Sequence, residues 1–309
     1  MTMPMNEKRL LATALLLSVA VALAFAPDAY IPMLARAFIV QWPLFFLAVA
    51  VWAIWRRSWM IALAAVLCIG MLVPQAFVAD IAWADTPVGP VFRVAHMNVL
   101  QPNRQFAPAI HAVQNADADL ISVQEVSPEW AAALQAEFSR THPFQHIVPR
   151  TNCYGIALFS KHPFARVRTI MESGAPFIEA ELDIAGERMR VFAVHATSPG
   201  SYAHYRRRNA QLNALAYRIQ DDPLPTLVIG DLNTVHWDGA YQRFCARSGM
   251  RPINSTTDRT WPSVGPLALI PLDHALVGFG LHPARIATFD VSGSDHRGLL
   301  AEIHLPDAR

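Results

Sequence analysis

Six short segments of this chain end an apolar run with a carboxylate, an amide or an imidazole. Asn98 stands in "MNVL", Gln124 and Glu125 in "VQEV", His195 in "VFAVHATSP", Asp231 and Asn233 in "GDLN", Asp273 and His274 in "LDHALV", and Asp295 and His296 in "SDHRGLL". A carboxylate in or beside a buried strand loses hydration, which is costly unless it meets a partner or a metal. Each residue alone has an ordinary structural explanation. Asp273 fits a strand end, His195 a satisfied core histidine, Glu125 the start of a helix, and Asn98 and Asn233 turns. Six segments doing this together point to a shared site.

The ligand types narrow what that site could hold. Oxygen donors from Glu125, Asp231, Asn98, Asn233 and Asp295, with no cysteine pair nearby, suit Mg²⁺ or Mn²⁺ better than structural zinc. A hard cation kept partly hydrated by few carboxylates is the usual partner of phosphate chemistry. Histidines suit proton transfer or contact with a phosphoryl oxygen, and an Asp beside an imidazole fixes its tautomer. Hydrolysis at phosphorus is the reaction these parts fit. Other chemistries lack their motifs: there is no GxSxG, GxxxxGK[ST], HExxH or CxxC, and Gly278 to Gly280 lack the third glycine of a dinucleotide loop.

These residues need elements to hold them. The segment "VFRVAHMNV" alternates, with Phe92, Val94, His96 and Asn98 on one face, as a strand does. Further strands are expected at 119–124, 155–160, 177–183, 189–196, 226–230, 272–277 and 298–304. Phe106, Ile110 and Val113 recur at helical spacing, and Ser127 with Pro128 reads as an N-cap and first-turn proline before Trp130, Leu134 and Phe138. Helices are also expected at 203–219 and 238–247. Several strands follow one another directly, which favours a mixed or antiparallel arrangement over a doubly wound parallel sheet. The run Arg206, Arg207 and Arg208 reads as a solvated helix face, and nine histidines, His96 among them, as structural or surface residues. Arg150, Tyr154 and Arg297 are candidate substrate contacts.

The first 80 residues differ in kind. Between 10 and 79 the only charges are Asp28, Arg36, Arg56 and Arg57, which divide three apolar stretches, about 10–26, 37–55 and 58–79. Each approaches the roughly 20 residues that a helix needs to cross a bilayer. The expected organisation is a membrane anchor of three transmembrane helices over 1–80, a Pro/Gly linker at 81–90, and a soluble domain over 91–309. Lys8 and Arg9, with Ala24 to Ala26, also fit a signal peptide in place of the first span. Either way Lys8, Arg9, Arg56 and Arg57 point inward and the domain lies outside, with Arg36 opposing that orientation. From residue 91 onward 20 basic residues balance 20 acidic ones, so the domain lacks the basic footprint expected for gripping long nucleic acid. Cys153 and Cys245 could pair in an oxidising compartment, though no spacing pattern requires it.

From about residue 91 to its end the chain resembles the endonuclease/exonuclease/phosphatase superfamily of metal-dependent phosphoesterases. The resemblance rests on "MNVL", "VQEV", "YGIALFSK", "VFAVHATSP", "GDLN", "LDHALV" and "SDHRGLL", in that order. It implies an α/β fold, a four-layered sandwich of two packed β-sheets with helices outside. It also implies Glu125 as the main ligand of Mg²⁺ or Mn²⁺, helped by Asn98 and Asp295. Asp231 and Asn233 would place the attacking water and the transition state, His195 would touch the phosphate, and His296 would act as base or transition-state donor, oriented by Asp273. The chain departs from the pattern at Arg297 and Gly298, where a proline is common, and His274 receives no role. The arrangement is similar to membrane phosphatases of the teicoplanin-resistance type, which place such a domain after N-terminal spans and act on a lipid pyrophosphate carrier. A lipid-linked envelope phosphate is therefore the expected substrate. An extracytoplasmic nuclease is the alternative enzyme. A catalytically silent membrane receptor for a phosphorylated ligand is the alternative of another class, against which the intact polar set argues. A channel is disfavoured because the apolar stretches carry almost no polar groups.

Overall fold

The structure is a computed structural model that describes residues 4–76, 90–184, 186–220, 224–278 and 280–305. Nearly all of the expected linker and the end of the third apolar stretch lie outside the described residues. The chain divides into two compact units, Met1–Asp80 with His236–Gly239, and Ile81–Val235 with Ala240–Arg309.

The described residues of the first unit form four helices: α1 (Met5–Phe25), α2 (Tyr30–Ala37), α3 (Trp42–Trp55) and α4 (Trp59–Ala76). Of the described helices, α1 by itself is long and apolar enough to cross a membrane. Its 21 residues extend about 31 Å at about 1.5 Å each, against a hydrocarbon layer of about 30 Å. Within the stretch expected at 37–55 the helix is α3, of 14 residues; α2 lies ahead of it, over the segment that holds Arg36, and meets α3 at a 70° bend, so the two count as a second crossing only if the pair forms one span. The break precedes Pro43, which lacks an N–H and starts α3 in its first turn. Ala20, Ala50, Ala53, Ala62, Ala64, Ala65 and Cys68 are buried, whereas Leu11, Leu15, Leu44, Val51, Trp52, Leu63 and Val66 are exposed. Phe46, Leu72, Ile39 and Ile61 are buried beside them, so the described helices cover both small and large apolar side chains.

The second unit runs β1 (Val91–Asn98), α5 (Phe106–Gln114), β2 (Leu120–Gln124), α6 (Pro128–Phe138), β3 (Phe144–Val148), β4 (Ile156–Ser160), β5 (Phe164–Glu172), β6 (Ala175–Ile184) and β7 (Glu187–His195). It continues with α7 (Tyr202–Ile219), β8 (Thr226–Asp231), α8 (Gly239–Ser248), β9 (Arg251–Pro252), β10 (Trp261–Val264), β11 (Leu267–Ile270), β12 (Asp273–Val277), β13 (His282–Asp290) and β14 (Arg297–His304). One six-stranded sheet has the order β13-β14-β1-β2-β4-β3, the other β5-β6-β7-β8-β12-β9, and β10 with β11 forms a separate hairpin. Each large sheet holds one parallel pair near its centre, β1 with β2 and β7 with β8, among antiparallel neighbours. The mixed arrangement and the four-layered sandwich match the expectation from sequence.

The sheets meet through Phe92, Val94, Leu120, Ile156 and Leu158 on one side and Ile178, Val191, Leu227, Ile229 and Val277 on the other. Outside the first sheet, Met97, Ile121 and Val123 pack on Trp130, Leu134 and Phe138. Outside the second, Phe192, Val194 and Val228 pack on Leu212, Leu215 and Phe244. Fully burying one such side chain contributes about 1.5–3 kcal/mol. Ser127 caps α6 as expected, its Oγ accepting from the Trp130 amide at 3.2 Å. One reading of the sequence is corrected here. Arg206 and Arg207 are exposed, but Arg208 is fully buried, because α7 places it with Tyr205, Gln211, Leu212 and Leu215 on the face that covers the second sheet.

Candidate active site

Strand alternation selects the residues that meet. Residues 92 and 94 face the core between the sheets, so His96 and Asn98 point the same way farther along β1. The same step of two carries Val191 and Ala193 to His195, and Leu227 and Ile229 to Asp231. Asp273 precedes Ala275 and Val277 on the inner face of β12. Because β1 runs parallel to β2 and antiparallel to β14, Asn98, Glu125 and His296 reach one end of the first sheet. Asp273 is the register partner of Asp231, and His195 lies opposite Asp231 across the parallel pair, so all three share one end of the second sheet.

These residues form one connected array. Asn98 Nδ2 donates to Glu125 Oε1 at 3.1 Å and to Asp231 Oδ2 at 3.3 Å. Glu125 Oε2 accepts from the Gln101 amide at 2.8 Å. Asp231 Oδ2 stands 3.6 Å from His195 Nε2 and 3.8 Å from His296 Nε2, while its Oδ1 accepts from the Asn233 amide at 2.9 Å. Asn233 Nδ2 donates to the Ala196 carbonyl at 2.9 Å. His296 Nδ1 lies 2.8 Å from Asp273 Oδ2. Asp295 Oδ2 accepts from Trp261 Nε1 at 2.9 Å, and its negative charge is felt at Glu125 and at His296. The eight residues to which the resemblance gives roles thus gather at one place.

Two backbone features show how tightly the site is specified. Glu125 and Asn233 both have positive φ, 65° and 49°. For a residue with a side chain, and Glu above all, that conformation persists only where its surroundings fix it, and it clusters at functional positions. Gly230, one residue before Asp231, has φ 146°, and a Cβ there would lie 1.9 Å from the Val194 carbonyl oxygen. No side chain fits where β8 crosses so close to β7.

The charges are separated by environment. Asp231 and Asp273 face each other on adjacent strands, where two like charges repel. Burial pushes the Asp231 carboxyl up to about 8, and Asp273 adds to that rise. Burial would raise Asp273 too, but the charge on His296 and hydrogen bonds from His296 and His96 hold it far below the usual carboxylate range. Burial disfavours charge on His296, yet Asp273, Asp231 and Asp295 outweigh that and raise it to about 10. Burial, helped by the positive His296, lowers His195 to about 3 and keeps it neutral. Paired groups pushed apart in this way are the hallmark of divided acid and base roles.

Two sets could be considered for a cation. Asp231, Asp273 and His296 offer ligand atoms within 4.8 Å of one another. Both oxygens of Asp273 already meet imidazole nitrogens, however, so this trio is occupied by its own hydrogen bonds. The Glu125 region fits a cation better. Burial is the main cause that raises the Glu125 carboxyl, the neighbouring Asp295 adds to it, and Asp295 Oδ1 is a buried oxygen without a hydrogen-bond partner. Neighbouring acids of which one keeps a buried oxygen without a donor are what a hard divalent cation would satisfy.

Reasoning from sequence set His96 aside as structural or surface, and the structure ties it to the site. His96 Nε2 lies 2.6 Å from Asp273 Oδ1, with both side chains fully buried. The alternation that placed His96 beside Asn98 was visible, but a histidine within a strand carries the same signal whether it packs or acts. Arg208 Nη1 donates to the Asn233 carbonyl at 3.1 Å, beneath the site. His274 stays apart, with Nε2 2.9 Å from the Thr234 carbonyl and its ring against Tyr241. Tyr154 packs on His195 with ring centroids 5.7 Å apart, whereas Arg150 reaches Met171, and Arg297 is engaged by Asp290 and Thr288. Cys153 and Cys245 are unpaired.

Comparison with known proteins places this geometry. Residues 95–296 match the model of the Endonuclease/Exonuclease/phosphatase family. No curated protein matches the chain in sequence. Among solved structures, an endonuclease/exonuclease/phosphatase family protein from Bacteroides thetaiotaomicron is similar at a TM-score of 0.58 and 15% identity, covering 72% of this chain and 100% of that one. TDP2 of D. rerio, solved with a single-strand DNA product, is similar at 0.57 and 13%, covering 69% and 99%. Sphingomyelinase C from Streptomyces griseocarneus is similar at 0.52 and 18%, covering 69% and 99%. At these identities the structures speak for the shared fold.

Proposed function

Because the chain belongs to the Endonuclease/Exonuclease/phosphatase family, whose members are metal-dependent hydrolases of phosphoester bonds, we propose that it is a membrane-anchored phosphoesterase acting on a lipid-linked phosphate. The observation that carries the hydrolytic reading is the convergence of Asp231, Asp273 and His296 from both sheets, with their functional atoms within 4.8 Å. Glu125, Asn98 and Asp295 would hold Mg²⁺ or Mn²⁺, which when bound supplies positive charge for the phosphoryl oxygens. Asp273 holds Nδ1 of His296, leaving Nε2 as a proton donor toward the phosphoryl group, since the charged imidazole is favoured. Asp231, whose carboxyl burial raises, accepts a proton from the attacking water. Asn233, tied to Ala196 and to Asp231, orients that water, and neutral His195 contacts a phosphoryl oxygen.

A lipid-linked substrate is supported by the apolar α1, by the exposed large apolar residues of the helical unit, and by the balance of charge after residue 91. Lys8, Arg9, Arg56 and Arg57, which flank the apolar stretches, support an orientation of the anchor that leaves the catalytic unit outside the cytoplasm. A nuclease is the second reading, favoured by the likeness to TDP2 bound to a DNA product.

Phosphate release from a polyprenyl pyrophosphate by the full-length protein in detergent, with plasmid nicking followed in the same tubes, separates the two. Release that needs Mg²⁺ and falls about 10²–10⁴-fold in Asp231→Asn is the expected outcome. Nicking without release would move the protein to the nuclease reading.

A further inference from the structure

Asp273 belongs to the second sheet, and the first sheet reaches it twice. His296 meets Oδ2 at 2.8 Å, and His96 meets Oδ1 at 2.6 Å. The second contact comes from within β1 and is fully buried. His96 lies two residues before Asn98 on the inner face of β1, and Asn98 donates to Glu125 and Asp231. One strand therefore grips three carboxylates with two side chains.

We propose that His96 is a positioning residue of the hydrolytic site, donating its Nε2 proton to Asp273 and thereby fixing the ring of His296. A carboxylate rotates broadly about its terminal torsion. Held through Oδ2 alone, Asp273 could turn with the imidazole it is meant to orient, and Oδ1 would be a buried acceptor without a donor, which is costly. Anchored at Oδ1 by a fully buried ring on the opposite sheet, the carboxylate plane is set. The ring of His296 then points Nε2 toward Asp231, 3.8 Å away, rather than along the sheet. The side chain of His96 is fully buried and offers a substrate no surface, so it acts through Asp273.

This inference rests on phosphoester hydrolysis at the site, not on the lipid-linked substrate. The test compares full-length wild type with His96→Gln and His96→Asn in detergent, with bis(4-nitrophenyl) phosphate and Mg²⁺ as the probe. A glutamine amide reaches the place of Nε2; an asparagine amide reaches only that of Nδ1 and leaves Oδ1 unserved. Both are polar and similar in bulk, which separates positioning from folding. His96→Asn is expected to lower kcat by about 10- to 100-fold with KM changed less than about twofold, and His96→Gln to recover most of the loss. Equal kcat in all three proteins, or a loss confined to KM, would overturn the proposal. Proton NMR of histidine-labelled protein supplies a reading that needs no turnover. The downfield Nδ1 proton of His296, hydrogen-bonded to Asp273, is expected to shift or broaden in His96→Asn and to return in His96→Gln. An unchanged resonance in His96→Asn would also overturn the proposal. Absence of turnover with the probe would count against hydrolysis of simple phosphodiesters and leave the resonance to decide.

Discussion

At the scale of single residues, Glu125 and His195 show how burial becomes a measurable property. Burial raises the Glu125 carboxyl, so without metal its ionised form works against folding as pH rises through that raised value. Glu125→Gln is therefore expected to unfold a few degrees above wild type in chelator near neutral pH. Added Mg²⁺ should raise the wild-type midpoint and leave the variant unmoved, as thermal unfolding at several metal concentrations would show. His195 has its folded value lowered from 6.5 to about 3, so the neutral ring's contribution is present above 6.5 and is lost as pH falls toward 3. His195→Gln should flatten the acid side of the stability curve across that window, which denaturant titrations at a series of pH values would reveal. The polar strand ends were legible because an acid or amide closing an apolar run has few structural reasons to recur six times. His96 and Arg208 were not. Within one sequence a histidine between apolar residues looks like packing, and three arginines in a row look solvated until the helix phase is known to bury the third.

Elements follow a similar rule. The strands legible in the sequence are the inner ones, β1, β2, β4, β6, β7, β8, β12 and β14, buried on both faces or alternating cleanly. Those missed include all four edges, β13, β3, β5 and β9, and the hairpin of β10 and β11. Edge strands bury less and so carry less pattern: most of β5 is exposed or half-buried. The N-terminal stretches illustrate the converse. Apolar composition was plain, but it could not reveal that the segment around Arg36, read as a loop, forms the helix α2, which meets α3 at a 70° bend. The tightest element contact is testable at Gly230. Gly230→Ala sets a Cβ against the Val194 carbonyl at a positive φ, so it should destabilise the catalytic unit by about 2–4 kcal/mol. Activity should fall with it, since Asp231 follows directly.

For the whole molecule, the ends of the catalytic unit matter as much as its centre. Val91 is the register partner of His304, so the strand that receives the tether starts beside the strand that closes the fold. The site lies at the other end of that same strand, at Asn98. Eight residues at about 3.3 Å each put about 25 Å between the attachment pole and the catalytic pole. On the proposed reading of a lipid-linked substrate, this length of strand separates the tethered start of the catalytic unit from the residues that would act on the phosphate. A freely diffusing substrate imposes no such geometry. Lengthening the tether with Gly/Ser repeats should consequently change turnover of a bilayer-held lipid phosphate and leave that of a soluble phosphodiester untouched, so that reach itself becomes the measure of where the substrate resides.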